Sequence, residues 1–185
     1  DELMNRFQAF SDDPAVKAYQ TVEALLKSID EKLADAAKSE QSRLEAPARL
    51  QAIQTELAQP PAEVKAEAAP DATLTQLEQR LAEVRAQQET ARQQVTDLAT
   101  EKSRRDVVMG DTPRLLSEVR QRLTGLDEDI AAAGGDTIGS DAEPARAQRL
   151  VTLGERLEAR AEIFRLERQS ASIEARRGLL PKRQE

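Results

Sequence analysis

Residues 74–98 read LTQLEQRLAEVRAQQETARQQVTDL, and the apolar side chains in them fall at Leu74, Leu77, Leu81, Val84, Ala91, Val95 and Leu98. Steps of three and four alternate along this row, and only Gln88 interrupts it. An α-helix brings every third or fourth residue onto one face, so the row is a coiled-coil seam that calls for burial against another helix. Gln88 either fixes the register through buried hydrogen bonds or lies where the seam opens to water. On this reading Leu81→Asp is expected to destabilise the chain far more than Glu83→Lys, since it places an unpaired charge in the seam.

The same periodicity extends outward in both directions. Asp13-Pro14 reads as an N-cap followed by a proline at the first helical position, and Tyr19, Val22, Leu26, Ile29, Leu33 and Ala36 carry a first helix to about Leu44. Pro47 opens a shorter helix with Leu50, Ile53 and Leu57, stopped by Pro60-Pro61 because proline lacks a donor and restrains the residue before it. Residues 59–72, QPPAEVKAEAAPDA, have a linker's composition. Thr73 and Gln76 form a capping box that starts a third helix, expected to reach Val108. Met109-Gly110-Asp111-Thr112-Pro113 reads as a turn, with Gly110 as left-handed C-cap, Thr112 as N-cap and Pro113 opening a fourth helix through Ala133. Pro144 begins a fifth, expected to persist to about Arg177. The expected fold is therefore all-α, with about five helices in long antiparallel hairpins. Residues 1–59 would form an N-terminal helical hairpin, 60–72 a Pro/Ala-rich linker and 73–180 a helical bundle. Pro47, Leu50, Ile53 and Leu57 are echoed by Pro113, Leu116, Val119 and Leu123, a pattern that suggests two stacked hairpins and that any two proline-initiated amphipathic helices also share.

Composition narrows the chemistry. The chain has 185 residues, a formal charge of −7, no cysteine and no histidine, and its aromatic residues are Phe7, Phe10, Tyr19 and Phe164. Missing cysteine and histidine remove the nucleophile triads, the thiolate metal sites and the common zinc and di-iron ligand sets. The acidic balance opposes nucleic acid and anionic membrane surfaces. No run approaches the ~18 apolar residues that a membrane span needs, and Asp1-Glu2-Leu3-Met4 is not a signal peptide. With that start and the charged end at Lys182-Arg183-Gln184-Glu185, the chain is expected to be a soluble part of a larger protein.

Each remaining candidate site has a bland counterpart. Arg104-Arg105 and Arg176-Arg177 could contact phosphate, but basic residues in the last turns of helices also complement the macrodipole. Asp12-Asp13 and Asp127-Glu128-Asp129 lack the frame of a calcium loop and read as solvated faces. Gly134 to Ser140 is glycine-rich but has neither the Lys-Ser/Thr nor the preceding strand of a phosphate-binding loop, so it reads as a helix–helix connection. No catalytic, cofactor-binding or metal-ligating residue is assigned, and no enzymatic activity is expected.

Leu74-x-x-Leu77-Glu78-x-Arg80-Leu81, then Thr112-Pro113-Arg114 and Val119-Arg120-x-Arg122-Leu123, resemble the N-terminal periplasmic region of the large mechanosensitive channels of Gram-negative bacteria. These are the potassium-dependent MscK/KefA type and its relatives, and the region is labelled the MscS porin domain. Ala46-Pro47-Ala48-Arg49 and residues 148–168 are similar to an earlier and a later helix of that region, so the resemblance covers most of residues 15–180. It implies a non-enzymatic periplasmic segment of an inner-membrane channel that modulates gating or assembly in osmotic-shock protection. The implied partners are other helices of the parent channel and neighbouring subunits, with no nucleic acid, no small-molecule substrate and no membrane insertion by this segment. The competing reading is an unrelated coiled-coil scaffold or adaptor that binds a protein through a helix face, and an amphipathic membrane-binding module is opposed by the charge.

Overall fold

The computed structural model describes residues 13–59, 73–135 and 142–179. They form three α-helices: α1 over Pro14–Leu57, α2 over Leu74–Ala132 and α3 over Glu143–Ala175. The all-α expectation holds, but two of the expected breaks do not exist. Pro47 lies inside α1 and Pro113 inside α2, so five expected helices become three. The hairpin placing residues 74–108 against 112–133 is replaced by one helix of 59 residues. Neither echoed proline starts a return of the chain. The expected connection at 60–72 lies outside the described residues.

Caps account for the ends that were read correctly. Ala15 N–H donates to Asp13 Oδ1 at 2.8 Å, and Thr73 and Gln76 complete the capping box, with Thr73 N–H to Gln76 Oε1 at 2.9 Å and Gln76 N–H to Thr73 Oγ1 at 3.4 Å. At the far end of α2, Gly135 N–H reaches Ile130 O at 2.9 Å and Gly134 N–H reaches Ala131 O at 3.2 Å. Gly134 has φ +93°, so the pair forms a Schellman cap that satisfies otherwise orphaned carbonyls.

Packing phase explains why the prolines fail to break their helices. The three-four row of residues 74–98 continues without a slip through Lys102, Arg105, Met109, Thr112, Leu116, Val119, Leu123, Leu126 and Ile130. Thr112, Leu126 and Ile130 are buried. Proline inside a helix costs ~3 kcal/mol, whereas ending one helix and starting another strands up to about eight backbone groups and fixes a new turn. Each buried Leu or Ile offsets about 1.5–3 kcal/mol, so keeping the phase wins. Gly110 consequently sits inside α2 with no left-handed conformation, and Thr112 is buried at 3% exposure instead of capping. In α1 the buried residues Ala46 and Ile53 flank Pro47 in the same way.

Two compact units emerge from the contacts, one joining the described residues of Asp1–Arg43 to Asp111–Ser172, the other joining those of Leu44–Gly110 to Ile173–Glu185. In the first, α1 and α3 run parallel, as Leu25 meets Gly154, Ser28 meets Glu158 and Glu40 meets Arg168. There α2 runs antiparallel to α3, with Arg120 on Glu167 and Asp127 on Arg156. Small residues let α1 and α3 approach closely: Ala15, Ala18, Ala147 and Val151 form a buried cluster backed by Val22 and Leu25, and a Cβ at Gly154 would lie 3.1 Å from Leu25 Cδ1. The second unit buries Ala46, Ile53, Ile173 and Leu179.

The opening of α2 contradicts the expected burial of the seam. Every residue from Thr73 to Asp97 is exposed, with Leu74 at 73%, Leu81 at 50% and Val95 at 62%. Periodicity encodes a face that prefers a helix; it does not say which helix. No described residue covers this one.

Leu126→Asp should therefore cost several kcal/mol, about 3–5, because the carboxylate would be buried without a partner. Leu81→Asp and Glu83→Lys should each change the stability of the isolated chain by no more than about 0.5 kcal/mol, which thermal melts of the three variants will show. Gly154→Val should lower stability by about 1–3 kcal/mol through overpacking against Leu25, measured in the same way.

Candidate functional site

Two features of the surface are not explained by packing alone, a charged cleft and the open face of α2. The cleft, in the first unit, encloses about 500 Å³ between Ser28 and Lys32 of α1, Val119 and Arg122 of α2, and Glu158 and Glu162 of α3. Helical spacing builds it, since Ser28 and Lys32, like Glu158 and Glu162, are four residues apart and share a face. Lys32 Nζ donates to Ser28 Oγ at 2.6 Å and to Glu158 Oε1 at 3.1 Å, and Ser28 Oγ donates to the same carboxylate oxygen at 2.9 Å. Arg122 approaches Glu158 Oε2 at 3.6 Å from the opposite wall. Arg165 grips Glu162 through two bonds of 3.0 and 2.7 Å.

The electrostatics follow from these pairings. Burial pushes the Glu158 carboxyl up, but hydrogen bonds from Lys32 and Ser28 and the charges of Lys32 and Arg122 outweigh it, and its pKa is lowered. Glu162 is lowered chiefly by its hydrogen bonds from Arg165, against the opposing effect of burial. Glu40, farther along α1, is lowered from 4.5 to about 2 by its hydrogen bonds from Arg43, opposed by burial and helped by the charges of Arg43 and Arg168. Carboxylates held ionised and already paired are poor general acids at neutral pH. The cleft has the chemistry of an interhelical clasp, and among the described residues no group of three or more His, Cys, Asp or Glu is placed to hold a metal ion.

The residues singled out in sequence are scattered. Arg104 and Arg105 lie in the middle of α2, far from the C-terminal turn expected for them, because the helix runs on to Ala132. Arg105 Nε bonds Glu101 at 2.7 Å along the helix. Arg176 and Arg177 follow the end of α3, and the Arg176 pKa is lowered by burial and by the nearby charges of Arg105 and Arg49, while Glu101 raises it. Asp127 pairs with Arg156 at 2.8 Å, and Glu128 and Asp129 are exposed. Asp12 and residues 136–140 of the glycine-rich run lie outside the described residues, while Gly134 and Gly135 are the α2 cap. Gln88 is exposed with the seam around it. The Ser28–Lys32–Glu158 clasp was missed, because it joins residues 126 or more apart in sequence; the only available signal was the polar pair Ser28 and Lys32 beside the apolar row of α1.

The open face is the more distinctive feature. It spans about 36 Å at 1.5 Å per residue, and monomeric proteins seldom expose contiguous apolar surface on this scale without a partner for it. None of the described helices is long and apolar enough to cross a membrane.

Residues 5–185 match the family described as the mechanosensitive ion channel porin domain. No curated protein and no solved structure matches the chain.

Lowered carboxylate pKa values make stability depend on pH in a defined direction. A carboxylate whose pKa is depressed on folding stabilises the fold above its unfolded value and loses that contribution as pH falls through the folded one. The contributions of Glu40, Glu158 and Glu162 should be complete above about pH 4.5 and be lost as pH falls below it, that of Glu40 draining away towards pH 2. A Glu40→Gln/Glu158→Gln/Glu162→Gln variant should melt below the wild-type chain at pH 7 and converge on it near pH 2, as followed by circular dichroism.

Proposed function

The chain belongs to the mechanosensitive ion channel porin domain family, and from that premise we propose that it is a non-enzymatic helical segment lying in the periplasm that biases the gating or assembly of a large, MscK/KefA-like inner-membrane channel in protection against osmotic shock. The observation that carries this reading is the family match over residues 5–185. Three physical features support it. The described helices include none suited to crossing a bilayer. The chain has no histidine or cysteine, and its clustered carboxylates are paired and ionised. An open apolar face on α2 suits contacts with other helices of the channel or with neighbouring subunits.

A helical array outside the membrane does not feel bilayer tension directly. It acts on the pore only through contacts that differ in free energy between the closed and open states. Deletion of residues 73–177 from the full-length channel should therefore leave a conducting, stretch-activated pore whose threshold or subunit assembly is shifted. Patch-clamp recording and native electrophoresis measure both. Loss of conductance in a channel that still inserts normally would make the segment part of the permeation path; unchanged threshold and assembly would remove its role in either.

A further inference from the structure

The seam of α2 is covered at one end of the helix and open at the other, and the covered end shows what kind of surface it accepts. In heptad terms, with Leu74 at a and Leu77 at d, Arg120 follows the d residue Val119 and Arg122 precedes the a residue Leu123. These flanking positions are where a coiled-coil partner is met by charge. Both arginines meet carboxylates of α3, Arg120 on Glu167 at 2.9 Å and Arg122 near Glu158 and Glu155 at 3.6 and 3.9 Å.

The open end repeats the arrangement. Arg85 follows the d residue Val84, Arg92 follows the d residue Ala91, and Arg80 precedes the a residue Leu81. Among the described residues, Arg85 and Arg92 have no carboxylate partner, and Arg80 reaches only Glu83 of its own helix, with both side chains 60% exposed. Glu83, Glu89 and Asp97 occupy outer positions of the heptad, away from the seam. In a chain of charge −7, three of the four charged residues on the edges of this apolar stripe are basic, Arg80, Arg85 and Arg92 against Glu78.

We infer that the face from Leu74 to Leu98 is the docking site of a helix with an apolar heptad stripe of about four heptads, flanked by carboxylates and carrying a hydrogen-bonding side chain opposite Gln88. A second copy of the same seam fits poorly. Parallel and in register, Arg80 would face Arg85 of the copy and Glu101 would face Asp106; antiparallel about the midpoint of Gln88 and Ala91, Arg85 would face Arg92 at the centre of the seam, and only the outlying Arg80 and Glu101 would meet as opposite charges, so like charges at the centre weigh against pairing. This inference gives the channel reading its partner chemistry and rests on that reading only for where the partner helix comes from.

The test uses the full 185-residue chain and two fluorescein-labelled synthetic peptides of four heptads, with Ile at a, Leu at d and one central Gln at a. One peptide carries Glu at both flanking positions and its twin carries Lys. At low ionic strength, fluorescence anisotropy should show the Glu peptide binding at least ~10-fold more tightly than the Lys peptide. An Arg80→Glu/Arg85→Glu/Arg92→Glu variant should reverse the preference. Leu81→Asp should abolish binding of both peptides while leaving the melting temperature unchanged, since Leu81 is exposed in the free chain. Equal binding of the two peptides, binding of neither, or a wild-type dimer in sedimentation that Leu81→Asp dissolves would each overturn the proposal. Deletion in the channel tests the role in gating; the peptides test the face alone, so the two failures are distinguishable.

Discussion

One constraint organises the structure: the heptad phase of α2 does not slip from Leu74 to Ile130. A phase kept over that distance gives the helix a single seam, apolar except at Gln88, Lys102, Arg105 and Thr112, and the seam decides where other helices can lie. It also decides the fate of Pro113. The proline removes one backbone bond and crowds the preceding turn, but a break there would abandon the alignment of Thr112 and Leu126 that the first unit buries. Helix stability in proteins comes mainly from packing an amphipathic face and only weakly from propensity, and here that ordering is visible twice, at Pro47 and at Pro113.

The core that results is thin. It is made largely of alanine, with Ala36, Ala147 and Ala159 at or below 1% exposure, while Leu26, Leu33, Leu157 and Phe164 remain 41–52% exposed. Large side chains stand at the edges of the helix contacts, and polar links cross between them: Lys32 to Glu158, Arg168 to Glu40, Arg156 to Asp127. Arg168 also lies 5.0 Å above the Phe164 ring, covering apolar surface that the core does not reach.

Local signals in the sequence were legible at three helix starts. The capping box at Thr73 and Gln76, the Asp13 cap and the start of α3 next to Pro144 each depend on residues within one turn, and each formed as read. Gly110 and Pro113 carried turn signals of equal strength, yet lost to a phase that only counting across the proline reveals. Leu81 illustrates a different limit. Its spacing correctly states that it wants a helix partner, but burial depends on a surface elsewhere, and no pattern within one helix specifies that surface. The clasp at Ser28, Lys32 and Glu158 was out of reach for the same reason, as the pairing of distant segments is settled by the fold.

The close contact of α1 with α3 has a mechanical side. Alanine and glycine let the backbones approach closely along the row from Ala15 and Ala18 to Gly154, and the ridges that oppose axial sliding there are few, chiefly Leu25 seated against Gly154. Polar links share with Leu25 the setting of position along the axis, and act as detents. These detents differ in exposure: Lys32 and Glu158 are 21% and 18% exposed, whereas Arg168 and Glu40 are 40% and 30%. Added salt screens exposed charges more than sheltered ones, so rising ionic strength loosens the Arg168 end before the Lys32 end. The axial registry of two parallel helices is thus graded along their length by a solution variable that accompanies every change in osmolarity caused by salt.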